Sequence, residues 1–328
     1  MKLFIPYITL ITFALSLYGC EKMSIQKQLD TKFGKYVEEV KPENRKFYEA
    51  YDKTLELFGT PYGEVNIKTS FGNAHVVVSG PESAEAVVLL HGMNASSTMW
   101  YPNIKALAKN HRVYAIDYLL EPGKSEQNGK VKNLDEILNW YDEIFTGLKL
   151  EEFSLIGASS GGWMAVYIAL RPKYKIMNMI LLSPAQTFTP IHPESDVLTN
   201  ILYTLNPRRK NLRNVLETMS VNVDNIKQAY IDQYFIATQK ASLNKFILQM
   251  TTFSDDELRT LNMPVLILIG DQDIMNDEKS IDRAKELLPH AYTGIIENAG
   301  HFLTFDQSDI VNAKMLEFLS IKNPVKKN

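Results

Sequence analysis

The chain of 328 residues has a single cysteine, Cys20, so neither a disulfide framework nor a cysteine metal cluster can form within it. It has no H-E-x-x-H run or other ligand spacing, and no catalytic metal or other cofactor is expected. Gly123-Lys124-Ser125 lacks the upstream glycine of a G-x-x-x-x-G-K frame, which excludes a phosphate-cradling loop there. A basic stripe is also missing. With a formal charge of −3 and a pI near 6.1, nucleic acid is not expected as a partner. From Gln186 to Arg259 there is no strand-like apolar run, although such runs occur on both sides.

What is present begins with an unusual start. Met1-Lys2 is followed by an apolar run over residues 3–18 and then Gly19-Cys20. A charged start, an apolar stretch and a small residue at its end read as a secretory signal over residues 1–19. Leu17-Tyr18-Gly19-Cys20 resembles a bacterial lipoprotein signal. That resemblance implies cleavage before Cys20, lipidation of Cys20 and a lipid-anchored catalytic part outside the cytoplasmic membrane. An uncleaved anchor, ordinary secretion and a buried N-terminal helix are the alternatives. Residues 20–60 read as a polar tether followed by an amphipathic helix carrying Phe47, Tyr48, Tyr51, Leu55 and Phe58.

Further on, alternating strands around Phe71-Gly72-Asn73 predict a hairpin with one open face. The unbroken Val87-Val88-Leu89-Leu90 predicts a central strand covered on both sides. Strand material then alternates with helical material: a helix-like stretch from Trp100 to Lys109, a strand over Val113 to Ile116, a helix over Leu134 to Leu148 and a strand over Phe153 to Ile156. This alternation predicts βαβ units and a mainly parallel sheet. The sheet core is expected over residues 61–185 and 261–328, with residues 186–260 forming a helical cap over the carboxyl edge, where ligands bind in such folds.

Gly157-Ala158-Ser159-Ser160-Gly161 stands where a strand meets an apolar helix. Small residues two positions before and after Ser159 suit a tight turn that pushes the hydroxyl out, making Ser159 the candidate nucleophile. Ser160 is the alternative, but it lacks that glycine frame. Serine needs a base, itself oriented by an acid. His301 follows the last strand, and Asp273 or Asp271 follows Val265 to Ile269; Asp273 is preferred because its extra residues let the chain reach the histidine. The oxyanion donors are assigned to the backbone N–H groups of Met93 and Ser160, with His91 and Gly92 shaping the first loop. Trp163, Met164, Tyr167 and Leu170 read as core packing, His75 as structural or surface, and His192 as entering the cap.

These stretches, together with Asp117-to-Ser125 and Asn298-Ala299-Gly300-His301, resemble the α/β-hydrolase superfamily over roughly residues 60–320. The resemblance is to its capped branch of carboxylesterases, small-acylglycerol lipases and meta-cleavage carbon–carbon hydrolases. It implies the α/β-hydrolase fold: a mainly parallel eight-stranded-type sheet with flanking helices and a helical cap. Ser159, Asp273 and His301 would be the triad. Met93-Asn94 and Leu119-Leu120-Glu121 depart from the branch's usual residues. The expected function is hydrolysis of a small carboxylic ester through an acyl-enzyme. Carbon–carbon hydrolysis, thioester, lactone, small-peptide or perhydrolase chemistry, and a non-catalytic surface binding module, are the alternatives.

Overall fold

A computed structural model describes residues 24–321, except residues 172, 192–194, 241–245, 247–248 and 289. The expected signal over residues 1–19, Cys20 and His192 lie outside the described residues. Among the described residues no helix is long and apolar enough to cross a membrane.

Nine strands form one mixed sheet: β1 (Tyr62–Thr69), β2 (Gly72–Ser79), β3 (Ala86–Leu90), β4 (Arg112–Ile116), β5 (Glu126–Gln127), β6 (Glu152–Ala158), β7 (Lys175–Leu182), β8 (Val265–Gly270) and β9 (Ala291–Ile296). Their order is β1-β2-β4-β3-β6-β7-β8-β9, with the two-residue β5 paired to β2. Pairing is parallel from β4 through β9 and antiparallel at β1, β2 and β5. Eight strands thus make the continuous path, with β5 as an addition. The helices are α1 (residues 24–33), α2 (Arg45–Leu55), α3 (Ile104–Leu107), α4 (Leu134–Leu148), α5 (Ser160–Ala169), α6 (Ser195–Leu205), α7 (Arg209–Met219), α8 (Gln228–Lys240), α9 (Asp255–Arg259), α10 (Glu278–Leu287), α11 (Leu303–Asp306) and α12 (Ser308–Leu319).

The two-residue period of a strand divides the core. Val76, Val78, Val88 and Leu90 join one apolar cluster, while Val77, Val87 and Leu89 join the other. Helix α4 buries Ile137, Tyr141, Ile144, Phe145 and Leu148 in the first cluster, starting from an Asn133 cap whose side chain accepts from the Glu136 N–H. Helices α2 and α12 and the cap helices supply the second cluster.

Two local expectations need correction. Strand β2 has no open face: it lies between β1 and β4, with α2 and α4 residues in the clusters on its two sides, and all its residues but Asn73 are buried. The single helix expected from Trp100 to Lys109 is a 3-10 turn over Ser97–Trp100 and one α-turn over Ile104–Leu107. Pro102 between them has no N–H to continue a ladder. Helix α1 is also more than tether, because Leu29 is in the core. The Gln26 amide donates to the Glu64 carbonyl and accepts from the Glu64 N–H, covering the exposed edge of β1.

A charge cluster, buried at His75, Asp117 and Lys124 and open to solvent at Asp52, ties this edge to the sheet centre. The His75 ring lies between Asp117 and Glu64, each at 3.0 Å. The Lys124 ammonium meets Glu38 at 2.5 Å, Asp52 at 2.6 Å and Glu64 at 3.0 Å, so it fills the one grouping of acidic side chains, among the described residues, that is close enough for a metal. Burial alone would lower the His75 pKa, but its two carboxylate partners raise it. Burial would raise Glu64, but His75 and Lys124 bring it down to about 2 from 4.5. Asp117 is lowered for the same reason.

Depressed carboxyls stabilise the fold above their unfolded pKa and lose that contribution as pH falls through the folded value. The raised His75 acts oppositely, contributing below pH 6.5 and losing its share as pH rises through its folded value. Urea midpoints are therefore expected to fall steeply from pH 4.5 toward 2, with a shallower slope for Glu64→Gln. Parallel slopes would contradict this.

Candidate active site

Strand β6 ends at Ala158, and the chain turns at once into α5. Ser159 sits at the turn with φ 53° and ψ −121°, a region that L residues avoid. Its backbone is held on both sides: its N–H donates to Leu182 O at 2.9 Å, and its carbonyl accepts from Gly162, Trp163 and Ala185. A Cβ on Gly157 would stand 2.2 Å from Gly161 O, and one on Gly161 would stand 2.2 Å from Leu90 O. The two glycines of the motif are thus required by backbone crossing.

His301 and Asp273 come to this serine from the same sheet edge. His301 Nε2 is 2.8 Å from Ser159 Oγ, and His301 Nδ1 is 2.9 Å from Asp273 Oδ1. The carboxylate accepts the Nδ1 proton, which leaves Nε2 to accept the serine O–H. Asp273 also accepts from the Met275 N–H at 2.9 Å and the Asn276 amide at 3.1 Å. Burial would raise the Asp273 carboxyl, but His301 and the Met275 N–H hold it below the usual carboxylate value. Asp271, the alternative acid, accepts instead from the Ala299 N–H at 3.0 Å and so braces the histidine loop. Ser160 opens α5.

The loop after β3 faces the same place. A Cβ on Gly92 would lie 3.2 Å from the Ser159 Cβ. His91 Nε2 accepts from the Tyr118 N–H and its Nδ1 donates to Gly92 O, both at 2.8 Å, so the two ring nitrogens are engaged by backbone. Burial lowers its pKa, in keeping with a neutral ring. The Ser160 N–H stands at the first helical position and has no intrahelical acceptor. No backbone carbonyl among the described residues accepts from the Met93 N–H. Met93, Ser159 and His301 line one cavity of about 60 Å³ with Tyr203, Tyr230 and Tyr234 of the cap. A second cavity of about 30 Å³ is bordered by His91, Ser160, Trp163 and Met164, so the last two do more than fill the core.

Of the following residues that brace the site, only Asp117, at the end of its strand, is expected from the sequence to hydrogen bond among the loops. Asp117 Oδ1 accepts from the Ser97 N–H at 2.7 Å and Oδ2 from the Lys124 N–H at 2.8 Å. Glu121 accepts from the N–H of Asn94, which is left-handed at φ 56°. The buried amide of Gln233 in α8 joins Ser96 and Thr98. Buried Asp306 accepts from the Gly300 N–H at 2.8 Å, the Asn222 N–H at 2.9 Å, the Val221 N–H at 3.1 Å and the Ser220 hydroxyl. The Phe302 N–H donates to Met219 O at 2.8 Å, so the histidine loop is sewn to the end of α7 on both sides of His301. For Gln233 an available signal was its helical spacing, which puts it on one face with Tyr230, Tyr234 and Ala237; Asp306, followed by Gln307-Ser308-Asp309, carried none.

The Hydrolase_4 family, described as serine aminopeptidase, S33, matches residues 81–308. The uncharacterized carboxylesterase nap of Bacillus subtilis (strain 168) is 31% identical over 287 residues, which cover 85% of this chain and 94% of that protein. Carboxylesterase YbfK of the same organism is 30% identical over 283 residues, covering 84% and 93%. The crystal structure of naproxen esterase (carboxylesterase NP) from Bacillus subtilis matches with a TM-score of 0.79 at 30% identity, over 86% of this chain and 99% of that one. With the sheet order and the Ser159 turn already in place, these likenesses decide the family: the chain belongs to Hydrolase_4 and is a carboxylesterase-like enzyme of the α/β-hydrolase fold.

Proposed function

We propose that the protein hydrolyses small carboxylic esters, with Ser159, His301 and Asp273 as its catalytic triad. The observation that carries this reading is the hydrogen-bonded line from Ser159 Oγ through His301 to Asp273 at the floor of a cavity. Ser159 Oγ attacks the ester carbonyl carbon while His301 Nε2 takes its proton. The tetrahedral oxyanion is held by the N–H groups of Met93 and Ser160. His301 returns the proton to the departing alkoxide, which leaves as the alcohol and frees an acyl-enzyme. Water then attacks the acyl carbon, giving its proton to His301, and the collapse releases the acid and restores Ser159. Asp273 stays ionised throughout and stabilises the imidazolium. The relatives named carboxylesterases support an ester substrate.

Labelling by a fluorophosphonate probe is expected in the unaltered chain and absent in Ser159→Ala. On a panel of soluble acyl esters, Asp273→Asn should lower kcat by about 10³- to 10⁴-fold, because the histidine loses its correct tautomer. Label retained on folded Ser159→Ala would overturn the nucleophile. Turnover confined to a vinylogous diketone or an aminoacyl amide would overturn the ester reading.

Asp306 enters the proposal as a positioning residue for His301. Asn at that place would turn a donating amide toward backbone N–H groups. Asp306→Asn is expected to lower kcat by about 10- to 100-fold with KM within about threefold, and to slow fluorophosphonate labelling in parallel. A lowered melting temperature with unchanged kcat would assign Asp306 to stability alone.

Attachment through Cys20 completes the proposal, motivated by the Leu17-to-Cys20 stretch. Cys20→Ser is expected to remove lipid labelling in cells and to retain the uncleaved leader. Unchanged labelling and processing would reject it.

A further inference from the structure

Helix α6 carries two opposed faces. Asn200, Tyr203 and Thr204 look into the Ser159 cavity. Leu198, Ile201, Leu202 and Leu205, spaced at i, i+3, i+4 and i+7, point the other way and are 49%, 47%, 57% and 62% exposed. Four large aliphatic side chains in one helical stripe are more than the scattered apolar residues of an ordinary surface, and such a patch marks an interaction site. The stripe runs into Pro207-Arg208-Arg209-Lys210. Arg209 is paired with Asp232. Arg208 and Lys210 are exposed and form no ion pair among the described residues, although the chain as a whole is acidic. Asp196 lies at the opposite end of the helix.

We propose that the outer face of α6 docks on an anionic phospholipid surface. The chemistry is that of an interfacial amphipathic helix: the aliphatic stripe enters the acyl boundary, and Arg208 and Lys210 meet lipid phosphates at its end. A protein partner would need a shaped complement, whereas a bilayer accepts any flat aliphatic stripe edged by cations. Because the inner face of the same helix roofs the cavity over Ser159, docking brings the site to esters held in lipid. This extends the ester-hydrolase reading and rests on it for the substrate, though not for the surface itself.

The test keeps the full chain, so that any N-terminal attachment is the same in every arm. Leu202→Trp places an indole on the stripe. Vesicles of phosphatidylcholine with phosphatidylglycerol are expected to shift its emission to the blue, and brominated acyl chains should quench it. Leu198→Gln/Leu202→Gln/Leu205→Gln should lower turnover of a long-chain ester embedded in those vesicles by at least about tenfold. Its turnover of a soluble short-chain ester should stay within about twofold, since these side chains belong to neither core cluster. Arg208→Gln/Lys210→Gln should abolish the preference for anionic over zwitterionic vesicles.

An indole already blue-shifted without lipid would mean that the apolar run over residues 3–18 or a second copy covers the stripe, and would overturn the proposal. An indole that brominated lipid does not quench would overturn it too, as would equal losses on soluble and embedded ester. If the unaltered chain hydrolyses no soluble ester, the esterase reading fails, and quenching alone decides the docking surface.

Discussion

The site rests on one constrained turn. Ser159 occupies a backbone conformation that costs on the order of 1–3 kcal/mol, and such strain persists only where the surroundings over-determine it. Here they do: four backbone hydrogen bonds fix the residue, and two glycines let β6, β3 and α5 pass at distances that no side chain would allow. The hydroxyl therefore stands clear of the sheet, where a histidine from the far side of the chain can meet it. Every other part of the constellation is positioned relative to that turn.

Two buried carboxylates do for the loops what pairing does for the strands. Asp117 gathers the N–H groups of Ser97 and Lys124, the Tyr51 hydroxyl and the His75 ring, and so fixes the course of the loop that begins at His91. Asp306 gathers three N–H groups and a hydroxyl around the histidine loop. An ionised carboxylate offers about four acceptor sites, so one residue can satisfy several loop donors that would otherwise lie unpaired in the interior. Neither touches Ser159 Oγ: Asp306 holds the loop whose His301 does, and Asp117 holds the loop that borders the same cavity.

How legible this was in the sequence follows from the range of the interactions. Helix α4 has the expected bounds because its apolar spacing is periodic and local. Ser159, Asp273 and His301 each follow a strand, so the parallel sheet itself predicts that they share an edge. The stretch from Trp100 to Lys109 was misread because its apolar residues suit a helix while Pro102 interrupts the ladder. Asp306, Gln233 and Glu121 could not be read as braces, since their partners lie 86, 137 and 27 positions away. Glu121 and Asn94 look like separate departures from the superfamily pattern; in space the first accepts from the second.

The cap is not an independent lid over a finished site. Its α8 reaches the loop after β3 through Gln233, and the end of α7 reaches the histidine loop through Ser220, Val221, Asn222 and Met219. The cap thus spans the loop after β3 and the histidine loop, while Tyr203, Tyr230 and Tyr234 from it border the cavity shared with Ser159 and His301. A substitution that reshapes the cap therefore acts on the same loops that hold His301 and follow Met93. The aliphatic residues on the outer face of α6 take no part in the hydrogen bonds that tie the cap to these loops.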